Sequence, residues 1–363
     1  MNNITFIETT WPHNSRTDRF KESYKLYNYN ISSIGWDRNS KYNGKENEFI
    51  KKSSIGYGKP ITKLLHLFSF VFFVCKNIKK TNPNIIFASH WDSLIVAFIS
   101  SLFCDEKPKI IYDCLDMPTS KFRIVRFILI KIDNYFSHKS DLVIFASRFF
   151  QSFYSIEHEK SIIFENYPSS VLVNGSECLN DKYAKIKQFK EKYKIISWIG
   201  VVRYFETLER LIVATSNIPG YKLVFFGDGP DLIKIKKLVK NKNYTHVEFT
   251  GRYESSELSF IYSLSDIVWA AYPTKDFNVR YAISNKYFEC NLFGKTPIFS
   301  ENTAIRKIIK TRNRSVLFVN EESVEDIYLK ISQYKEPNFE KYEKCSCWEE
   351  EFNKNSERFM LLV

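Results

Sequence analysis

The sequence predicts an α/β protein built from two doubly wound domains that face each other across a cleft. Three observations lead there. Short apolar segments alternate with amphipathic ones, the pattern of a parallel sheet covered by helices. The alternation stops once, at a polar stretch near the middle, and then restarts. A chain of 363 residues also exceeds what one hydrophobic core usually organises.

In the first half the expected strands are Ile4–Ile7, Ile31–Ile34, Ile85–Ala88, Ile110–Tyr112, Leu142–Phe145 and Ile162–Phe164. Helices are expected at about 61–79, 93–103, 120–138 and 147–155. The polar stretch "NYPSSVLVNGSECLNDKYAKIKQFKEKYK" (166–194) follows and reads as an interdomain linker. Strands then resume with "IISWIG" (195–200), Leu223–Phe226, Val247–Phe249, Ile267–Ala271, Pro297–Phe299 and Val316–Val319. The helices between them fall at about 206–217, 231–240, 256–263, 284–293 and 304–310. The expected domains are therefore 1–170, a linker over 171–194, a second domain over 195–335 and a helical tail over 336–363. Ligands of doubly wound sheets bind beyond the carboxyl ends of the strands, so a site between two such domains is expected.

Composition narrows the function. Hydrophobic residues make up 44% and aromatics 17%, enough for sizeable cores, which argues against disorder. The net charge of +12 is spread along the chain without a long Lys/Arg run, so it does not by itself point to nucleic acid. It suits an anionic small substrate and an anionic membrane face equally well. Seven cysteines (75, 104, 114, 178, 290, 345 and 347) form no CxxC and no metal-ligand spacing. With no basic or apolar leader in "MNNITFIETT", they fit free thiols in a reducing cytoplasm. The longest apolar run, "LLHLFSFVFFVC" (64–75), is shorter than the roughly 20 residues of a membrane span. A buried core helix is the first reading of it, and a helix lying in a membrane interface the second.

Four strand-end segments carry candidate chemistry. In "SWIGVVRYFETLERL" Gly200 ends a strand and Arg203 precedes a helix, a combination that can cradle a diphosphate. In "LVFFGDGPDL" a strand runs into Gly227 and a tight turn; it is not GxGxxG, which excludes NAD. In "FTGRYESSEL" Gly251 makes the turn and Arg252 stands at the strand end. In "SNKYFECNLFGKTPIFS" Ser284 caps a helix, Gly294 ends it, and Lys286 and Glu289 sit in its first turns. A cation there opposes the helix dipole, and it belongs more naturally if an anion binds at the same end. Glu289 is suited to accept two hydroxyls of a ribose. Read alone, each segment is also compatible with a turn or a surface ion pair. Two Asp in "DCLD" (113–116) without a third ligand do not make a metal site.

"FECNLFGKTPIF" resembles the Glu-Ala-x-x-x-Gly-x-Pro-Val stretch of GT-B glycosyltransferases of family 4, the retaining group 1 type, with Glu289, Gly294 and Pro297 in register. "WIGVVR", "GDGPDL", "FTGRY" and "SDIVWAAY" (265–272) look like that family's successive landmarks. "ASHWD" (88–92), "YDCLD" (112–116) and "WEEEF" (348–352) look like its strand-end His motif, the next strand end and the start of a terminal helix that crosses back to the first domain. "SNKYFEC" further resembles bacterial polysaccharide enzymes with an Asn-Lys before this Glu.

The resemblance implies a donor site of Gly200, Arg203, Gly227, Arg252, Tyr281, Asn285, Lys286 and Glu289, with Glu289 on the ribose and Arg203 on the diphosphate. His90 would meet the donor sugar, and Asp116 is the best candidate base. Two positions depart from the family: its second Glu is Tyr281 here, and its diphosphate Lys is Glu206. Lys286, or else Arg280, would supply the missing cation. The implied activity is retaining sugar transfer from a nucleotide diphosphate to a glycan or lipid-linked acceptor in bacterial capsule or polysaccharide synthesis. It needs neither metal nor cofactor, and it would run in the cytoplasm with an anionic membrane surface as a partner. The rival readings are an epimerase or hydrolase of nucleotide-sugars and a non-catalytic nucleotide-binding scaffold. A nucleic-acid binder would need a basic stripe with interleaved aromatics, and none is evident.

Overall fold

The computed structural model describes residues 2–56, 58, 60–120, 122–173, 181–309 and 313–361. Cys178, residues 174–180 of the expected linker and the end of the helix expected over 304–310 lie outside them. The chain divides into two compact units, Met1–Glu165 with Glu351–Val363, and Asn166–Glu350.

The first unit holds a seven-stranded parallel sheet of β1 (Asn3–Glu8), β2 (Asn30–Asp37), β3 (Glu48–Lys52), β4 (Ile85–Ser89), β5 (Lys109–Cys114), β6 (Leu142–Phe145) and β7 (Ser161–Ile163). Its order is β3-β2-β1-β4-β5-β6-β7, so the winding reverses between β1 and β4. The helices are α1 (Ser15–Leu26), α2 (Pro60–Thr81), α3 (Trp91–Ser101) and α4 (Arg123–Lys139). Sequence reading misses α1 and β3. In α1 the buried face is half polar, with Arg16, Thr17 and Ser23 beside Phe20 and Tyr24, which hides the apolar period. The edge strand β3 reads "EFIKK", the charged composition that discourages pairing by another chain. The helix expected at 147–155 is a single 3-10 turn, Gln151–Phe153.

The second unit holds a six-stranded parallel sheet of β8 (Lys194–Ile199), β9 (Tyr221–Phe226), β10 (Val247–Gly251), β11 (Ile267–Ala270), β12 (Thr296–Ser300) and β13 (Leu317–Val319). Its order, β10-β9-β8-β11-β12-β13, reverses between β8 and β11. Two short helices, α5 (Ser170–Val173) and α6 (Ala184–Lys190), fall inside the stretch read as linker. Buried Ile186 and Tyr183 pack with Ile195 and Phe226 of this unit, so that part of the stretch serves its core. The other helices are α7 (Phe205–Ser216), α8 (Leu232–Asn241), α9 (Leu258–Leu264), α10 (Phe277–Tyr281), α11 (Asn285–Phe293) and α12 (Val324–Ser332).

The chain ends in α13 (Trp348–Lys354) and α14 (Ser356–Phe359), two short helices broken at Asn355. The last residues return to the first unit. There Phe352 and Phe359 stack 4.8 Å apart, Phe359 packs edge-on against Phe20, and the Tyr24 hydroxyl donates to the Phe359 carbonyl at 2.8 Å. The six described cysteines are free thiols.

The apolar run at 64–75 is not a core helix. Phe70 and Val74 on one side of α2 are fully buried, but Leu64, Leu65, Phe68 and Phe72 on the other are exposed. The run is continuous because both faces of the helix are apolar, a pattern that periodicity reads as burial all round.

Candidate functional site

In the second unit the loops after β8, β9 and β10 are tied together by backbone bonds. Gly200 N–H donates to the Phe226 carbonyl at 2.9 Å, Gly227 N–H to Gly251 at 2.9 Å and Val202 N–H to Asp228 at 3.0 Å. The glycines are required. Gly227 has φ 143°, and a Cβ there would lie 1.9 Å from the Gly200 carbonyl oxygen. Arg203 is exposed at the start of the following loop, its guanidinium 4.8 Å from the Tyr204 ring. The N-terminus of α7 beside it already holds an anion: the Asp231 carboxylate accepts from Phe205 N–H at 3.1 Å. Glu206 is exposed in the first turn of the same helix. Arg252 is exposed after β10, and its carbonyl accepts from Lys182 Nζ.

Helix α11 leaves the sheet after β11, so its N-terminus and the Gly200 loop flank the point where the winding reverses. Open parallel sheets bind ligands at such a point. The Ser284 hydroxyl caps the helix by accepting from Lys286 N–H at 3.3 Å, and Gly294 closes it at φ 63°. Lys286 and Glu289 form a salt bridge of 2.5 Å, with side chains only 9% and 11% exposed. This is a buried pair, not the surface pair that spacing alone allows. The same Glu289 oxygen also accepts from the Tyr262 hydroxyl of α9, and the Tyr262 ring stacks on Phe293 at 4.7 Å. Burial opposes the charge of Lys286, but the Glu289 carboxylate outweighs it and holds the ammonium pKa above that of an ordinary lysine. Burial, reinforced by the same carboxylate, pushes the Tyr262 phenol well above its usual range. The cluster thus sets a charged Lys and a neutral Tyr on one Glu289 oxygen. Asn285 is exposed at the first position of α11. Tyr281, half-buried, ends α10 with its ring 4.7 Å from Phe277, and Arg280 donates to the Thr274 carbonyl at 3.2 Å.

In the first unit His90 follows β4, at that sheet's own reversal point. It is partly exposed, adopts φ 69°, and its N–H donates to the Asp113 carbonyl at 3.2 Å. Asp116 is exposed in the loop after β5. Asp113 is fully buried and bound to Arg16 at 3.0 Å, so the first acid of "DCLD" serves the fold. Among the described residues no three His, Cys, Asp or Glu side chains gather as a metal site would need.

Sequence reading missed Tyr262 and Asp231. Tyr262 reads as a core position in α9, and only its hydroxyl, which needs a partner when buried, hinted at more. Asp231 reads as a first-turn residue of its own helix, whereas its carboxylate accepts from Phe205 N–H at the start of α7.

Residues 180–348 match the family of glycosyl transferases group 1. The match spans most of the second unit, and the two parallel sheets have the GT-B architecture. Solved structures similar over the whole length include sucrose-phosphate synthase from Thermosynechococcus elongatus, at 12% identity and a TM-score of 0.75, covering 100% of this chain and 99% of that one. HepE from Anabaena, solved with UDP and glucose, is 12% identical with a TM-score of 0.71 and full coverage of both chains. WaaG, a glycosyltransferase of lipopolysaccharide biosynthesis, is 11% identical with a TM-score of 0.62, covering 91% and 90%. No curated protein sequence matches the chain.

Proposed function

We propose that the protein transfers a sugar from a nucleotide diphosphate to a glycan or lipid-linked acceptor, with retention, in bacterial surface-polysaccharide assembly. The observation that carries the reading is the buried Lys286–Glu289 pair at the N-terminus of α11 in a group 1 glycosyl transferase domain. Glu289 takes the ribose hydroxyls. Arg203, Lys286 and the α11 N-terminus face the diphosphate, and the Gly200 and Gly227 turns let it approach the backbone. Arg252, Asn285 and Tyr281 complete the donor side. An ammonium has three donors, so Lys286 can hold Glu289 and a phosphate oxygen together.

In the step itself the bond from the sugar's anomeric carbon to the diphosphate breaks and one to the acceptor oxygen forms on the same face. The acceptor proton passes to the leaving phosphate oxygen, so the protein's main task is to offset charge on the diphosphate. His90 meets the donor sugar, and Asp116 is the residue to test if a protein base takes part. The same reading includes a cytoplasmic enzyme whose first unit works at the inner face of the cell membrane.

Calorimetric titration with UDP and UDP-sugars tests the core of this. Glu289→Gln is expected to weaken nucleoside diphosphate binding by about 1–3 kcal/mol, the range for losing a charge-assisted hydrogen bond. Unchanged affinity in a folded variant would remove Glu289 from the site.

A further inference from the structure

The first unit carries an apolar surface that sugar transfer does not use. Helices α2, α3 and α4 pack side by side on its sheet, α2 against α3 and α3 against α4. On α2, Ile61, Leu64, Leu65, Phe68 and Phe72 recur along one face and are 58–81% exposed. On α4, Ile124, Phe127, Ile128 and Tyr135 repeat the same spacing and are 50–76% exposed. Single exposed apolar residues are ordinary, but two matched stripes on neighbouring helices mark a contact surface.

Charge decides what covers it. Helix α2 has Lys63, Lys76, Lys79 and Lys80 and no acid beyond them. Helix α4 has Arg123, Arg126, Lys131 and Lys139, and Lys131 stands in the exposed stripe between Ile128 and Tyr135. The acids of α3 and α4 are hidden: Asp92 is buried and paired with Lys63, and Asp133 is buried and accepts from the Tyr154 hydroxyl. None of the three helices presents an exposed carboxylate; Asp105 and Glu106 lie in the loop after α3. A second copy of the same face would bring these cations against like cations. An anionic bilayer satisfies both the apolar stripes and the charge. Ile61–Thr81 is long and apolar enough to span, but crossing would strip Phe70, Val74 and Ile78 from the sheet they cover. An in-plane position keeps that packing.

We propose that α2 and α4 dock this protein in the headgroup region of an anionic bilayer, with their exposed stripes in the acyl boundary. The inference rests on the glycosyl-transfer reading only for its purpose, since it brings the first unit to the surface where a lipid-linked acceptor is held. The exposed apolar residues concentrate at the start of both helices, the end that follows the carboxyl ends of β3 and β5.

The test is cosedimentation of the full chain with vesicles of phosphatidylcholine alone or mixed with phosphatidylglycerol in about a two-to-one ratio. The mixed vesicles should bind at least about tenfold more tightly than neutral ones at low salt, and the advantage should shrink as salt rises. Phe68→Ser and Ile128→Ser should each weaken binding severalfold while melting as the wild type does, because both side chains are exposed. Absence of binding to mixed vesicles at low salt overturns the proposal, as do variants that bind like the wild type. A wild-type dimer that Phe68→Ser dissociates, seen by light scattering, would assign the face to a second copy instead. Calorimetry with UDP on the same samples separates the two readings. Lost vesicle binding with UDP binding intact removes only the docking surface, and the reverse removes only the donor site.

Discussion

In the first unit the acids at the strand ends are satisfied from within. Asp113 is held by Arg16, Asp92 by Lys63 and Thr9, and Asp37 by the N–H groups of Asn39, Lys41 and Tyr42. In the second unit the strand ends present glycine turns and exposed Arg203 and Arg252, with one buried Lys–Glu–Tyr cluster at the helix that leaves the reversal point. The same architecture thus carries two kinds of buried charge. Charge tied into a fold is spent on the fold, whereas charge beside glycine turns and surface guanidinium groups can serve an anionic ligand.

The contrast is sharpest between two buried ion pairs. Arg16→Met and Lys286→Met each strand a buried carboxylate, and each should cost about 3–5 kcal/mol in urea denaturation. They should differ in binding. Folded Arg16→Met should keep wild-type affinity for UDP, while folded Lys286→Met should lose affinity for the diphosphate more than for the free nucleoside. Equal behaviour of the two in calorimetry would erase the distinction between structural and ligand-facing pairs.

Asp133 provides the next comparison, a buried acid of the first unit whose hydroxyl partner, Tyr154, carries no charge. Burial, only partly offset by hydrogen bonding, raises its pKa to about 6. Its folded form therefore binds a proton more tightly than the unfolded chain does. Stability from this group should fall as pH rises from about 4 to about 6, by up to about 3 kcal/mol, and then level off. Asp133→Asn should flatten that part of the profile in melting curves taken between those values. A wild-type profile without the decline would show that Asp133 ionises freely in the fold.

The smallest effect is expected at Glu206, exposed in the first turn of α7. Glu206→Lys should change stability by less than about 0.5 kcal/mol, as surface substitutions usually do. If its side chain reaches the same phosphates as Lys286, it should partly restore diphosphate affinity to Lys286→Met. Failure to restore any would separate the two positions and shift attention to Arg280 or Arg252.

Much of this was legible in the sequence. Among the described residues, twelve of the thirteen strands follow from short apolar runs, because a parallel strand buried on both faces has to be apolar throughout. The cap at Ser284, the stop at Gly294 and the i,i+3 spacing of Lys286 and Glu289 are likewise local, since they depend on residues within one helix. Helix α1 was hidden because its buried Arg16 answers Asp113, a residue 97 positions away.

What the sequence determined by itself was the alternation, the turns and the identity of the charged residues at strand ends. Only the tertiary structure decided which of those charges are buried and which partners they meet. It put Tyr262 on Glu289 and Asp231 on α7, and it left one face of α2 uncovered. The physical reason is that period and capping are set by neighbours along the chain, whereas burial and pairing are set by whatever the topology brings alongside.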